Sequence, residues 1–352
     1  MNPEDKESLE KHLREIAAIL LKNTPPSSLE DFESIEVTVR DHILTEVGPF
    51  IGSFFGEAAS GTRGGKKRKS QSIIGRVSVS EGRAEKLGCP KNRRFSPFVE
   101  KCCLRLVANE SFSRAAEDIE MMTGVKVSAS SQHRLVAKTR FESVEIEGKI
   151  EALSLDGGKV RVRTPNGQAS EWKDYKAISL HGQATAAFYQ EHEKLIGWVN
   201  ALSRERVITC VGDGHDGIWN LIERIGESYE RREVLDWYHL SENLYRIGGS
   251  LKVLKRVENY LWQGQIDEGL GEISRWSGKE ARNFRAYVPK HRSRIPDYSL
   301  YQELGICIGS GSVESAIKQI GNRMKIVGAQ WKADNIPRYL NLRCAYLNGE
   351  IR

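Results

Sequence analysis

A run of seven residues, RVITCVG at 206–212, constrains the fold of this chain most strongly. It is a continuous apolar strand, and parallel strands that are buried on both faces of a sheet have this composition. Helical periodicity at 191–203 and at 217–225 places a helix before and after it in the chain. Helices that alternate with buried strands indicate the α/β class.

Four more strands are predicted around this run. Period-2 alternation and β-branched residues place three of them upstream and a short one downstream, at 151–155, 159–164, 175–180 and 233–235. A turn at Gly157-Gly158 would separate the first two. Three antiparallel strands, a helix and two more strands that alternate with helices are the order of a ribonuclease H-like core. The first and fourth strands are neighbours in that fold, so Asp156 and Asp213, where these strands end, are expected to lie side by side.

The C-terminal part of the chain offers a third carboxylate. Residues 240–306 are polar with an apolar helical stripe, which predicts a helical insertion into the core. Gly and Ser at 309–312 then break the chain and begin a helix that contains Glu314. If that helix continues, Lys318 and Lys325 lie within about 40° of the face that carries Glu314, where they would contact phosphates.

Three carboxylates on rigid elements predict a metal site. Divalent-metal phosphoryl chemistry needs several oxygen ligands around Mg²⁺ or Mn²⁺, and two such ions can activate a nucleophile and stabilise the leaving oxygen. Asp156, Asp213 and Glu314 are the candidate ligands, and two ions are expected. Spacing alone leaves other acidic residues open as competitors, namely Asp216, Glu223 and Asp236.

Residues 96–145 have the pattern of a helix-turn-helix. Three short helices are predicted, with small residues in the second and a polar, basic third helix. The side chains expected to face DNA are Gln132, His133, Arg134, Lys138 and Arg140. An ordinary three-helix bundle is the alternative.

The N-terminal part divides into two further regions. Residues 1–60 contain two amphipathic helices, whose apolar faces either dock on the body of the protein or pair with another copy. Residues 61–95 have the composition of a basic linker, with twelve Lys and Arg against three acidic residues between 63 and 101. Its cluster Lys66, Lys67, Arg68 and Lys69 is either a phosphate-tracking arm or a solvated loop. The ribonuclease H-like domain would then occupy residues 146–352.

Composition sets the remaining bounds. The formal net charge of +6 suits an anionic partner. The six cysteines form no CxxC pair, which argues against a zinc ribbon or a disulfide framework. The N-terminus has no apolar signal core and no span long enough for a membrane is present, so a cytoplasmic protein is expected.

Several segments together resemble one family. They are DGG from Asp156, VGDGHDGIWN from 211, DWYHLSENLY from 236 and GSGSVESAIKQIGNRMKIVGAQW from 309. In this order they resemble the catalytic segments of bacterial insertion-sequence DDE transposases of the Mutator-like kind, most closely the Kra group of insertion sequences. The run from 96 to 135 resembles that group's helix-turn-helix region, so the resemblance covers roughly residues 95–350.

The resemblance implies an activity and the residues that carry it. Asp156, Asp213 and Glu314 match the DDE triad, and Asp236 with His239 matches a C/DxxH motif that supports the site. The implied protein binds the terminal inverted repeats of double-stranded DNA as a homo-oligomer at the bacterial nucleoid. Water cleaves at the element end, and the freed 3′-hydroxyl attacks target DNA, with no covalent protein intermediate.

Three points stay open at the level of sequence. Asp236 and His239 have a plain alternative, a helix cap and its hydrogen-bonded partner. Members of the group often carry cysteine pairs ahead of the helix-turn-helix, where this chain has only Cys89, which leaves open a truncated element. The alternatives to a transposase are therefore a degenerate, catalytically inactive DNA-binding protein and a ribonuclease H-like nuclease without strand transfer.

Overall fold

The computed structural model describes residues 1–59, 65–89, 93–141, 146 and 148–351. Within them the chain has the mixed α/β architecture that the sequence predicts, and it divides into two compact units, residues 1–138 and 139–352. Parts of the predicted basic linker and of the predicted helix-turn-helix region, at 61–64, 90–92 and 142–145, lie outside the described residues. In the part of the chain that is described, no helix is long and apolar enough to cross a membrane.

The first unit begins with helices and continues with a hairpin and four more helices. Its elements are α1 (Pro3–Lys22), α2 (Phe32–His42), α3 (Gly48–Ile51), α4 (Ser53–Ala58), β1 (Lys67–Ser72), β2 (Gly75–Ser80), α5 (Glu81–Lys86), α6 (Pro97–Val107), α7 (Phe112–Thr123) and α8 (Ala129–Lys138), with a π-helical turn (Ile43–Val47) after α2. No residue of α1 is buried.

The stretch predicted as a basic linker is structured in its described residues. Strands β1 and β2 pair antiparallel, and α5 follows directly. The reason is the alternation that follows the basic cluster: Val77 and Val79 point inward and pack with Ala84 in a small core, while the polar residues between them face solvent. The linker prediction rested on the charges alone and did not take the alternation of apolar and polar residues in β2 into account.

Capping residues mark the starts of α6 and α7 and the end of α7. The side chains of Ser96 and Ser111 cap the first two helices, and Gly124 ends the second with a left-handed φ of 69°. A shared core holds the three helices together and includes Val99, Ile119 and Leu135. The shared core accounts for the packing of the three helices. A helix-turn-helix and a simple three-helix bundle would both have such a core.

The second unit is built on a five-stranded mixed sheet. Its strands are β3 (Ile150–Val162), β4 (Glu171–Leu180), β5 (Ala184–Tyr189), β6 (Arg204–Gly212) and β7 (Arg231–Leu235), in the spatial order β5-β4-β3-β6-β7. Strands β3, β4 and β5 pair antiparallel, whereas β6 pairs parallel to β3 and to β7. The predicted adjacency of the strand before Asp156 and the strand before Asp213 is therefore confirmed.

The prediction of a turn at Gly157-Gly158 is wrong. Strand β3 runs straight through both glycines, so the two strands predicted at 151–155 and 159–164 are one. A Cβ on Gly158 would lie 2.2 Å from Cζ of Tyr175, so glycine is needed here because the Tyr175 ring covers the backbone. The third antiparallel strand is β5, which the sequence reading had missed.

Helices cover this sheet and follow it in the chain. They are α9 (His192–Ala201), α10 (Asp216–Ile222), α11 (Trp237–Tyr245), α12 (Leu251–Trp262), α13 (Ile266–Glu272), α14 (Lys279–Lys290), α15 (Tyr298–Glu303), α16 (Gly311–Met324) and α17 (Ile336–Leu347). Helices α12 to α15 occupy the stretch predicted as a helical insertion. Their apolar faces join the strands in one large core, which includes Leu254, Val257 and Phe284.

Candidate active site

Three aspartates lie in register on three adjacent parallel strands: Asp156 lies inside β3, where its pairing with β6 stops, and Asp213 and Asp236 follow directly after β6 and β7. The last paired residues of β3 and β6 are Ser154 and Val211, and Asp156 and Asp213 each follow two residues later. Gly212 pairs with Leu235 at the end of β7, so Asp236 follows at the level of Asp213. The carboxyl ends of parallel strands meet at one edge of a sheet, which is where open α/β sheets place their sites.

Asp236 is fully buried and holds two segments together. Its Oδ1 accepts a hydrogen bond from the backbone N–H of His239 at 2.7 Å, which caps α11. Its Oδ2 accepts one from the backbone N–H of Ser310, directly before α16. The capping role that the sequence left open is therefore what the structure shows for Asp236.

Glu314 reaches the same place from the first turn of α16. Its Oε1 lies 3.5 Å from Nδ1 of His239 and accepts a hydrogen bond from the Ser310 hydroxyl at 3.3 Å. Nδ1 of His239 also lies 3.4 Å from Oδ1 of Asp236. His239 therefore stands between two carboxylates.

Electrostatic interactions link five side chains at this site, those of Asp156, Asp213, Asp236, His239 and Glu314. Burial raises the pKa of Asp156, the charges of Asp213 and Glu314 raise it further, and the Gly157 N–H and His239 only partly offset them. The neighbouring Asp236 is the main cause that raises the pKa of His239 to about 9, and the charges of Glu314 and Asp213 add to it. For Asp236, burial opposes ionisation but is outweighed by hydrogen bonds from His239 and Ser310, so its pKa is lowered.

The donor set fits a divalent cation. Candidate ligand atoms of Asp236, His239 and Glu314 all lie within 4.8 Å of one another. Nδ1 of His239 is buried and has no hydrogen-bond partner among the described residues, because its contacts with the two carboxylates are ion pairs. Carboxylates suit Mg²⁺ and Mn²⁺, whereas an imidazole suits ions such as Zn²⁺ or Fe²⁺. The tightest group thus differs from the predicted Asp156–Asp213–Glu314 set and shares only Glu314 with it.

Of the three competing acidic residues, Asp236 lies at the site and the other two are engaged with cations of the helical insertion. Asp216 forms a salt bridge with Lys290 of α14 at 2.5 Å, and Glu223 forms one with Arg294 at 3.1 Å. Asp213 itself is held by the same insertion, since the Tyr287 hydroxyl donates to its backbone carbonyl at 3.3 Å. Sequence patterning gave no sign of Tyr287, because an exposed and a buried tyrosine on an amphipathic helix look alike.

The two predicted lysines of α16 have different positions. Lys318 is exposed and lies one turn after Glu314, with its Nζ 3.9 Å from Oε2 of that residue. Lys325 is not on the helix, which ends at Met324. The chain turns back there so that Trp331 can pair with the edge of β3, its N–H donating to the Arg161 carbonyl at 3.0 Å. The assumption of a continuing helix was therefore wrong for Lys325.

Trp331 and Arg343, in the C-terminal part of the chain, make contacts that hold the structure together. The Trp331 indole N–H donates to the Met324 carbonyl at 2.9 Å, and its ring packs on Tyr339 with centroids 4.5 Å apart. Arg343 is buried and its Nε donates to the Gln319 carbonyl at 3.0 Å. Both residues fix α16 against the rest of the unit.

The predicted DNA-facing residues of α8 divide by exposure. His133, Arg134 and Lys138 are exposed. Gln132 is fully buried, and its side-chain amide donates to the Val127 carbonyl at 3.2 Å, so it does not fit the prediction. It lies on the same face as Leu135, which turns it toward the core.

In the basic cluster of β1, three lysines are exposed and the arginine is not. Lys66, Lys67 and Lys69 are exposed, whereas Arg68 is half-buried and donates to the Cys89 carbonyl at 2.8 Å. The alternation follows from the strand, whose successive side chains point to opposite faces.

A second polar group beside the acidic cluster escaped the sequence reading. His181 follows β4, and its ring contacts Ser154, Cys307 and Ser312. The four residues are spread over 159 positions (154 to 312), so no local motif announces them.

Comparison with known proteins adds no family. No family model matches the chain, and no curated protein matches it.

Proposed function

We propose that this chain is an insertion-sequence DNA transposase of the DDE type, which cleaves DNA and joins strands by metal-dependent phosphoryl transfer. The observation that carries the proposal is that Asp156 and Asp213 lie side by side on β3 and after β6, and that the charges of Asp213 and Glu314 both act on Asp156, with Asp236 and His239 beside Glu314. Several carboxylates on rigid strands and at a helix start suit two-metal phosphoryl transfer.

A ribonuclease H-like core is part of the proposal. It is supported by the strand order, in which the first strand of the unit lies between the second and the fourth, and by the parallel pairing of the first and fourth strands. The helices at 251–303 occupy the place of the insertion expected between the fifth strand and the helix of Glu314.

The metal would be held by the acidic cluster. Asp156, Asp213 and Glu314 are proposed to hold Mg²⁺ or Mn²⁺, two ions in all, with His239 as a nearby nitrogen donor. Such an ion, when bound, lowers the pKa of water and polarises a phosphoryl oxygen. Asp236 keeps both its oxygens on backbone N–H groups, so its contribution is to fix α11 and the start of α16.

DNA binding is proposed for the first unit, through the helix-turn-helix and a basic face of the hairpin. Lys69 and Arg76 lie on the exposed face, since their cross-strand partners are Ser78 and Gln71, and Arg94 joins them because its carbonyl accepts from the Gln71 N–H at 2.8 Å. These three cations line a cleft of about 880 Å³. Within the described residues none of the three forms a salt bridge, unlike Arg40 and Lys126 in the same cleft.

This surface suits a polyanion because its cations are spread over a sheet face instead of converging on one point. Binding of a random duplex, measured in EDTA by fluorescence anisotropy, is expected to become less salt-dependent in Lys69→Ala/Arg76→Ala/Arg94→Ala, by about 0.9 in log–log slope for each phosphate that the variant no longer neutralises. Lys6→Ala/Lys11→Ala/Lys22→Ala removes equal charge from exposed positions of α1 and is the matched control. Equal slopes in the two variants would show that only net charge matters.

Double-stranded DNA is thus the proposed partner, with terminal inverted repeats and target DNA as its two forms. Two element ends must be held together for strand transfer, so a homo-oligomer is proposed for the synaptic complex. Such a protein would act at the bacterial nucleoid in the cytoplasm.

Strand transfer of a pre-cleaved repeat end is the decisive assay for this function. Wild type with Mn²⁺ or Mg²⁺ is expected to join the end to target DNA, and Asp156→Asn, Asp213→Asn and Glu314→Gln are each expected to reduce the rate at least 100-fold, since each removes a ligand. Asp216→Asn is the control, an exposed aspartate three residues from Asp213 that is paired with Lys290. Cleavage without joining would indicate the nuclease, and repeat binding without either would indicate the inactive DNA-binding protein.

A further inference from the structure

The His181 imidazole joins the two segments that carry Asp156 and Glu314. Its Nε2 lies 2.5 Å from Oγ of Ser154, two residues before Asp156, and 3.3 Å from Oγ of Ser312, two residues before Glu314. Its Nδ1 lies 3.2 Å from Sγ of Cys307, at the start of the segment that leads into α16. The ring therefore bridges strand β3 and the 307–312 segment.

The partners of the ring define one direction for the hydrogen bonds. The Cys307 thiol donates to the Gly309 carbonyl at 3.3 Å, which leaves its sulfur to accept from His181. Nδ1 then carries the proton, and the single lone pair of Nε2 accepts from the Ser154 hydroxyl, with the more distant Ser312 hydroxyl sharing it. Burial lowers the pKa of His181, in keeping with a neutral ring that both donates and accepts.

The thiol in this group is a weak candidate for a nucleophile. Burial raises the pKa of Cys307, and its hydrogen is engaged by the Gly309 carbonyl. Reactive cysteines have a lowered pKa instead. The arrangement therefore serves to hold the backbone between 307 and 312.

We propose that His181 is a positioning residue for the acidic cluster, which fixes the 307–312 segment against β3 and so sets the place of Glu314 relative to Asp156. The backbone of this segment has few other ties to the sheet side: the Ser310 N–H bonds to Asp236, and the Ile308 carbonyl accepts from Trp237 at 3.0 Å. Those two ties hold the segment to the start of α11, whereas His181 holds it to the central strand. The link to catalysis rests on the proposed function, but the ordering of the segment does not.

Two measurements that need neither metal nor turnover test the ordering. In the nitrogen NMR spectrum of the full chain, His181 is expected to be neutral at pH 7.5 with its proton on Nδ1. In hydrogen exchange, His181→Ala is expected to speed exchange of the Ser310 and Glu314 amides by about tenfold, the worth of one or two hydrogen bonds. Exchange in β5 and α12 is expected to stay unchanged.

Further variants separate positioning from general stability. His291→Asn is the control, because His291 is also shielded from solvent, more completely than the half-buried His181, and packs on Trp219 and Tyr287 instead of the 307–312 segment. Ser312→Ala changes an exposed residue and removes one of the ring's contacts, so it keeps the proposal testable if His181→Ala fails to fold. Its effect on the Glu314 amide is expected to be several-fold and to vanish in the His181→Ala background.

The outcomes of these experiments distinguish a positioning role of His181 from a general effect on stability. A proton on Nε2, or exchange at 310–314 that is no faster in His181→Ala and Ser312→Ala than in His291→Asn, would overturn the proposal. If ordering is lost and strand transfer falls in kcat with little change in KM, His181 positions the catalytic cluster. Lost ordering in a protein whose wild type joins no strands would leave His181 as the positioning residue and refute the proposed function alone.

Discussion

Asp156 and Asp213 lie at the same level of two adjacent parallel strands, each two residues beyond the last paired residues Ser154 and Val211. The pairing of β3 with β6 stops before both residues. Both side chains are only partly exposed. Two carboxylates so placed repel each other, which is one cause of the raised pKa of Asp156. A divalent cation would relieve this repulsion.

Mn²⁺ is expected to stabilise the protein through the acidic cluster. At 100 times its Kd a ligand that binds only the folded state adds about 2.7 kcal/mol to the free energy of unfolding, measured by urea denaturation with and without the ion. Glu314→Gln is expected to lose most of this gain, since it removes a carboxylate ligand. Asp216→Asn is expected to keep the gain, and an undiminished response in Glu314→Gln would contradict the site.

Asp236→Ala is expected to be among the most destabilising changes at the site. It leaves the His239 and Ser310 N–H groups without their acceptor, each in a buried place, at a cost of about 2–4 kcal/mol in the free energy of unfolding. Asp297→Ala is the matched control, since Asp297 also caps a helix, through the Leu300 N–H at 3.1 Å, but at a more exposed place. Its cost is expected to be about 1 kcal/mol. Equal costs would mean that the tie to Ser310 adds nothing.

Gly158→Ala is expected to destabilise the sheet by about 1–3 kcal/mol, because the new methyl group would overlap the Tyr175 ring. Gly197→Ala, inside α9 with nothing within 4 Å of the added carbon, is expected to stabilise by about 0.5–1 kcal/mol instead. Tyr175→Leu combined with Gly158→Ala should cost less than the sum of the two single changes. Strict additivity in urea denaturation would show that the ring is not the obstacle.

His181 and His291 are expected to make stability fall on acidification through pH 6.5, whereas His239, whose pKa is raised to about 9, acts in the opposite sense above pH 6.5. Burial lowers the pKa of His181 and of His291, so both stay neutral in the folded protein at a pH where the unfolded chain takes up protons. Because the unfolded state binds more protons there, the free energy of unfolding rises with pH. His181→Gln/His291→Gln is expected to flatten this dependence between pH 5.5 and 7.5. A slope equal to that of wild type would show that other groups cause it.

Local sequence patterns predicted some elements of the fold correctly and others wrongly. The apolar run before Asp213 predicted a buried strand, and β6 is an interior strand of the sheet, next to the central β3. Gly157 and Gly158 misled because the same residue type serves a turn and a close approach, and only the distant Tyr175 decides between them. Gln132 misled because the face of a short helix depends on its partners.

The site was readable in part for the same reason. Asp156, Asp213 and Glu314 follow breaks in local pattern, whereas the importance of Asp236 comes from Ser310, 74 residues away. His181 and Tyr287 have no local signal at all, since their partners are far away in the chain.

The contacts of α14 with the strand ends have a consequence for communication across the second unit. Tyr287 donates to the Asp213 carbonyl and Lys290 pairs with Asp216. The position of α14 and the position of the loop after β6 are therefore energetically coupled. A molecule that binds α14 and displaces Tyr287 changes the free energy of keeping Asp213 in place. By reciprocity, whatever binds at Asp213 changes the affinity of α14 for that molecule to the same degree.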